Sequence, residues 1–284
     1  MKKSGLVTYG KVYKIRGERA NASQDLIAVE EPLQIRLEYV YKEAWHEKNL
    51  MVTMRSPGHD FDLAMGFLFA EGIIQGEKDI LWMRYCEKVK KEEQGNVLVV
   101  RLADGLDFDS QVLDRNFYTH SSCGVCGKTA IDAVQAKLEK IRPGDNKKMS
   151  YQTLFTLQDA ALVNQTGFKY TGGLHAASLF DSDGNLILLR EDVGRHNALD
   201  KLVGAALREG MSLQKDRIVV LSGRVSFEMV QKAVRAGIPM LAAAGAPTNL
   251  SVDLAEDKGL TLIGFLKKDR FNIYTHAGRI MDSG

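Results

Sequence analysis

Polar and apolar residues alternate along Leu33–Tyr41, read as LQIRLEYVY, the pattern of a strand with one dry and one wet face. Leu50–Arg55, Ile80–Tyr85 and Val97–Leu102 predict three shorter strands. After the turn Ser56-Pro57-Gly58 the period changes. Phe61, Met65, Leu68, Phe69 and Ile73 recur at helical spacing, with Asp60 the predicted N-cap and Gly72 weakening the end. Residues 1–22 are polar and basic and predict an edge strand or a loose arm. The charged stretch Lys88–Gly95 is a loop, and Cys86 reads as a small, half-buried hydrophobe. Together these elements predict a small β-rich domain with one helix, over residues 1–116.

Beyond that point the texture differs. Ala130, Ile131, Val134, Leu138 and Ile141 form one helical stripe that Arg142-Pro143-Gly144 stops. A second helix is predicted over Thr153–Asn164. Thr171–His175 is a glycine-rich lead into a strand, Ala176–Phe180, which returns through Asp181–Gly184 as Asn185–Arg190. Asp192–Asn197 opens a helix carrying Leu199, Leu202, Val203, Ala206 and Leu207. The run Ile218–Leu221 is apolar throughout, as in a strand buried on both faces. Ser222-Gly223-Arg224, a helix to Ala236, strand Ile238–Ala243, Gly245-Ala246-Pro247-Thr248, and a helix to Lys258 follow. Leu260–Phe265 and Phe271–Thr275 close the sheet. This alternation predicts an α/β layer domain, residues 117–284, around a parallel or mixed sheet.

Composition narrows the class. The 284 residues are 45% hydrophobic and 26% charged, ordinary for a globular chain. The net charge of +2 supplies no global field for nucleic acid or a membrane surface. The first thirty residues lack an apolar h-region and no run reaches a membrane-spanning length, so a cytoplasmic protein is expected. In that reducing compartment a close cysteine pair is more often reactive than structural.

The pair is Cys123 and Cys126, in SSCGVCGK at 121–128, just before the first predicted helix of the second half. Free N–H groups and the macrodipole at a helix start lower a thiol pKa, and His120 and Lys128 add positive charge. Four chemistries suit a CxxC. Zinc stays open but is less favoured, since it needs four ligands, or three with an open position, and only Cys86 and six scattered histidines stand besides. A structural disulfide is disfavoured in a chain with three cysteines and no secretion signal. A redox pair and a sulfur carrier fit better, and spacing does not choose between these two. Asp192–Asn197, Ser222–Arg224 and Gly245–Thr248 each offer N–H groups at a helix start, where a phosphate binds, and Arg195 and Arg224 add bidentate donors. Each is equally an ordinary βα turn; the three together favour a nucleotide-like or pterin-like anion. Ala177 stands two residues after His175, where a nucleobase deaminase needs glutamate, so deaminase chemistry is not expected. His175 and His196 also suit plain hydrogen-bonded positions. Phe265-Leu266-Lys267-Lys268-Asp269-Arg270, followed by Phe271–His276, could hold a phosphate and stack a base; on residues alone a solvated turn with a basic tip is the simpler reading.

SSCGVCGK, TGGLHAA at 171–177, EDVGRHNALDKL at 191–202, SGRVSFEMVQKA at 222–233, AAAGAPTNLSVDLA at 242–255 and GFLKKDRFNIYTH at 264–276 together resemble the FdhD/NarQ family, accessory sulfurtransferases of formate dehydrogenase. The resemblance covers nearly the whole chain. It implies an α/β (α+β) fold: a larger C-terminal, cytidine-deaminase-like three-layer α/β/α domain and a smaller β-rich N-terminal one, without deaminase activity; no metal site is expected, on the ligand count above. It also implies a sulfurtransferase that accepts sulfane sulfur from a cysteine desulfurase and passes it to the molybdenum cofactor, as bis-molybdopterin guanine dinucleotide (Mo-bis-MGD), before insertion into the formate dehydrogenase apoenzyme. By motif, Cys123 carries the persulfide and Cys126 is its partner. Phe265, Leu266, Lys267, Lys268, Asp269 and Arg270 match the cofactor-binding segment, with GDP as a mimic of the dinucleotide end. The two pterin–guanine halves of that ligand suggest a homodimer with two equivalent pockets. No nucleic acid or membrane partner is implied. The rival reading is a non-catalytic molybdenum-cofactor-binding chaperone whose CxxC senses redox state.

Overall fold

The computed structural model describes residues 5–106, 138–141 and 148–281. The boundary expected near Asn116 lies outside them. The chain opens with a hairpin of β1 (Val7–Arg16) and β2 (Arg19–Ala28), paired antiparallel from Val7↔Ala28 to Arg16↔Arg19. The stretch expected as an edge strand or a loose arm is thus β1 and the start of β2, because Gly17, at φ 59°, permits the two-residue turn between them.

A four-stranded sheet follows, built from β3 (Glu31–Tyr41), β4 (Ala44–Arg55), β5 (Ile80–Tyr85) and β6 (Val97–Leu102) in the order β4-β3-β6-β5. Only β3 and β6 run parallel. The alternation in β3 places Leu33, Ile35 and Leu37 in a core against Leu63, Phe67 and Leu68 of α1 (Asp60–Ala70). Asp60 is not the N-cap. That position belongs to His59, in the left-handed region and without a side-chain cap bond. The Asp60 carboxylate is drawn into the interior instead, accepting from Arg55 Nε at 3.0 Å and Arg55 Nη2 at 2.9 Å, and from the Tyr85 hydroxyl at 2.9 Å.

The larger sheet follows a two-stranded pairing of β7 (Met149–Ser150) with the C-terminal strand, and helices α2 (Tyr151–Asn164) and α3 (Thr166–Thr171). Its strands are β8 (His175–Asp181), β9 (Leu186–Asp192), β10 (Arg217–Leu221), β11 (Met240–Ala243), β12 (Thr261–Gly264) and β13 (Asn272–Thr275), in the order β13-β12-β11-β10-β8-β9. β10, β11 and β12 are parallel; the flanking pairs are antiparallel, so the sheet is mixed. Helices α4 (Arg195–Arg208), α5 (Phe227–Arg235) and α6 (Asn249–Lys258) form one layer. The final strand, β14, is Ile280–Met281. The pleat sorts the strand residues by face. Leu179, Val219, Leu221, Leu241 and Leu262 pack under α4–α6, while Phe180, Ile218, Val220, Met240 and Ile263 pack under α2. Three layers, α/β/α, result.

Two expectations change here. Residues 138–141 are not helical: Leu138 is buried in the larger core and the Ile141 N–H bonds the Lys258 carbonyl at 2.8 Å, so the predicted stripe does not run helically to Ile141. The short α3 was not expected. Its first N–H groups, of Gly167 and Phe168, donate to the Glu191 carboxylate at 2.8 and 2.7 Å, a cap supplied from a distant strand.

The two sheets meet through α1 and α4. A Cβ on Gly66 would lie 1.9 Å from the Asp200 carbonyl oxygen, and one on Gly204 would lie 1.8 Å from that of Asp62. The helices therefore cross backbone to backbone. Helix α1 is buried on nearly every side, between its own sheet and α4, which is why its apolar residues encircle it.

Candidate functional site

Strand directions bring five loops to one edge of the large sheet. His175, the first residue of β8, pairs with Asp192, the last of β9. Beside them emerge Ser222–Ser226 after β10, Ala244–Thr248 after β11 and Phe265–Arg270 after β12. This is where open α/β sheets hold their ligands. Backbone bonds lace the last three loops together: Gly245 N to Gly223 O at 3.1 Å, Val225 N to Ala246 O at 3.1 Å, and Phe265 N to Gly245 O at 3.1 Å. A Cβ on Gly245 would sit 3.0 Å from the Arg224 nitrogen, so glycine is needed for this approach.

A concavity of about 360 Å³ opens at the β8–β10 side of this edge, a size suited to a small organic ligand. Gln158 and Gln165 line it, with Phe168 from α3, and His175, Val193 and Ser222 from the loops. Ser222 Oγ accepts the Ala176 N–H at 2.9 Å and lies 3.3 Å from His175 Nδ1. Burial lowers the His175 pKa, and the nearby Arg195 guanidinium lowers it further, against the opposing pull of Asp192. The ring is therefore neutral at pH 7. Arg195 begins α4, and its Nε is buried without a hydrogen-bond partner among the described residues. A buried guanidinium nitrogen left unpaired suits an anion still to arrive. Gly223 leaves the space beside it open: a Cβ there would stand 3.3 Å from His175 Nδ1 and 3.8 Å from Arg195 Cδ.

His196 faces elsewhere. Its Nε2 lies 3.1 Å from Ser226 Oγ and 3.3 Å from Glu228 Oε2, tying the start of α4 to that of α5. In the Phe265–Arg270 turn, Phe265 is 43% exposed at φ 54°, and Lys267, Lys268, Asp269 and Arg270 are exposed. The Lys267 N–H closes the turn on Arg270 O at 2.8 Å. No ion pair among the described residues neutralises Lys267, Lys268 or Arg270. Leu266 is different. Its side chain is fully buried under the sheet and its N–H is bound to Ala243 O at 2.9 Å. Cys123 and Cys126 lie outside the described residues. Cys86 is half-buried at the end of β5, on the opposite sheet. Among the described residues no group of three or more His, Cys, Asp or Glu could hold a metal ion, and no helix is long and apolar enough to cross a membrane.

The fold is thus that of a mixed α/β protein whose glycine-rich loops gather at one edge of the larger sheet. The chain belongs to the FdhD/NarQ family, whose family model matches residues 28–281. It is 44% identical over 273 residues to the sulfur carrier protein FdhD of Streptomyces coelicolor, covering 95% of this chain and 94% of that one. It is 38% identical over 270 residues to the protein of the same name from Sulfolobus acidocaldarius, covering 95% and 97%. Its fold is similar to a crystal structure reported as a formate dehydrogenase accessory protein of Desulfotalea psychrophila, with a TM-score of 0.73, 23% identity, and 97% and 100% of the two chains covered.

Proposed function

We propose that this chain is a sulfur carrier for formate dehydrogenase maturation. The observation that carries the reading is the 44% identity, over 95% of the chain, to proteins named for sulfur carriage. Beside it stands the Cys123–Cys126 pair in a FdhD/NarQ chain. In this reading a Cys123 thiolate attacks the terminal sulfur of a cysteine desulfurase persulfide. The S–S bond in the donor breaks, the desulfurase thiolate leaves, and Cys123 holds the persulfide. Cys126 assists the onward transfer. The acceptor is the molybdenum cofactor, as Mo-bis-MGD, which is substrate here and passes afterwards to the formate dehydrogenase apoenzyme. The setting is the cytoplasm.

The binding edge supports this reading on chemical grounds. A pterin–guanine dinucleotide presents pyrophosphates and flat rings. Arg195, the α4 N-terminus and the Lys267–Arg270 turn suit the charge, and Phe265 and Phe168 offer surfaces for stacking. Of the Phe265–Arg270 segment, Leu266 takes part only as the residue that roots the turn in the core. GDP is the accessible probe for one dinucleotide end.

Mass spectrometry after incubation with a cysteine desulfurase and cysteine tests the carrier step. The expected result is one added sulfur atom on the peptide holding Cys123 and Cys126, lost in Cys123→Ala and retained in Cys86→Ala. Wild-type protein that stays unmodified while still binding the cofactor would reject sulfur carriage in favour of the chaperone reading.

A further inference from the structure

Lys201 is a lysine with no exposed surface at all, in the middle of α4. Its ammonium lies 2.6 Å from Asp192 Oδ2, also fully buried, and donates to the Ser56 carbonyl at 2.8 Å. Burying such a pair costs several kcal/mol per ion before the partners' attraction repays it. An apolar pair would fill the same space more cheaply, so what the pair touches matters.

The partners of the pair lie on the loop that carries Arg195, on the first turn of α4 and at Ser56, just past β4. Asp192 Oδ1 accepts the Gly194 N–H at 2.8 Å and Asn197 Nδ2 at 3.1 Å; Oδ2 also accepts the Ser56 N–H at 3.1 Å. Ser56 Oγ in turn accepts the Val193 N–H at 3.1 Å, and Asn197 Nδ2 reaches the Met54 carbonyl at 2.8 Å. Two successive loop N–H groups, of Val193 and Gly194, are thus held by side chains. The splint is anchored in the other sheet, at the end of β4. Its product is a fixed α4 N-terminus with the Arg195 Nε left unpaired beside His175.

We propose that Lys201 is a positioning residue: paired with Asp192, it locks residues 193–197 in the conformation that presents Arg195 and the α4 N-terminus to an anionic ligand. Lys201 does not touch the ligand. The proposal rests on the reading of this edge as an anion site, and its test separates the two.

Three measurements on Lys201→Met decide it: thermal unfolding, amide hydrogen exchange at Val193 and Gly194, and calorimetry with GDP. The expected result is exchange at least tenfold faster at those two amides and GDP affinity at least tenfold weaker. Asp192→Leu added to Lys201→Met removes the stranded carboxylate and the Gly194 acceptor together, so it should raise the unfolding temperature without restoring loop protection or affinity. Affinity or protection that recovers together with stability would overturn positioning, since a merely structural pair behaves that way. Unchanged exchange in folded Lys201→Met would overturn it too. If Lys201→Met does not fold, Ser56→Ala keeps the ion pair and removes only the Val193 acceptor; faster exchange at Val193 supports the splint, and unchanged exchange overturns it. Wild-type protein that binds no GDP, with loop exchange still dependent on Lys201, would reject the ligand and leave the splint standing.

Discussion

His175 stands between a cation and an anion, and the cation prevails. With burial and Arg195 both lowering its pKa, the free protein keeps the ring neutral at pH 7. An arriving phosphate would cancel part of the Arg195 field and raise the ring's pKa. Binding would then take up a proton, so GDP should bind more tightly as pH falls from 7 through the bound-state midpoint. Histidine NMR titration, with and without GDP, checks the shift; a midpoint that GDP leaves in place rejects the coupling. The sign for folding is opposite. A histidine pKa below its unfolded value contributes stability above the unfolded midpoint, and that contribution disappears as pH falls through the folded one. Arg270 belongs at the same scale. It is exposed and free of ion pairs among the described residues, so a phosphate contact would be worth about 1.5–3 kcal/mol. Calorimetry on Arg270→Ala should show GDP affinity reduced about tenfold or more.

Elements were readable in the sequence where a local pattern sufficed. The alternation in β3, the buried run of β10 and the glycine-rich loops after β9, β10 and β11 all stand close to where the residues put them. What was not readable depends on partners far along the chain. Helix α3 is capped by Glu191, more than twenty residues away, and no local residue announces it. Lys201 sits among Leu199, Leu202 and Val203 as an ordinary polar position; only the packed structure makes it the most enclosed cation near the site. Leu266 shared its motif with charged neighbours, yet one step past β12 the pleat turns it into the core. The crossing of α1 and α4 was equally silent, since a mid-helix glycine usually marks weakness rather than contact. Gly66→Ala should therefore destabilise despite alanine's better helix propensity. With the Asp200 carbonyl 1.9 Å from the new methyl, the helices must part, at a cost of about 1–3 kcal/mol or more. Thermal or urea unfolding measures it, and an unchanged midpoint would mean that the crossing yields freely.

At the scale of the whole molecule, the proposed ligand has two alike halves and each chain offers one loop-lined edge. A twofold dimer would supply the second edge without a second site in one chain. Light scattering at micromolar concentration should give twice the 31.5 kDa chain mass; a value near the single mass rules out a stable dimer. Both sheets contribute to this edge, because the Ser56 corner of one braces the loop ahead of α4 in the other.

The glycine-to-carbonyl crossing also governs how the chain can be divided. Helices that touch through their backbones leave matching surfaces when parted, and the Asp62 carboxylate on one loses its Arg190 and Arg208 partners on the other. Residues 1–116 and 117–284, made together as separate polypeptides, should find one another and co-purify through a tag on either. Made singly, each should go to inclusion bodies. Gly204→Leu in the longer piece should abolish the reunion, which makes that one missing side chain the address by which the halves recognise each other.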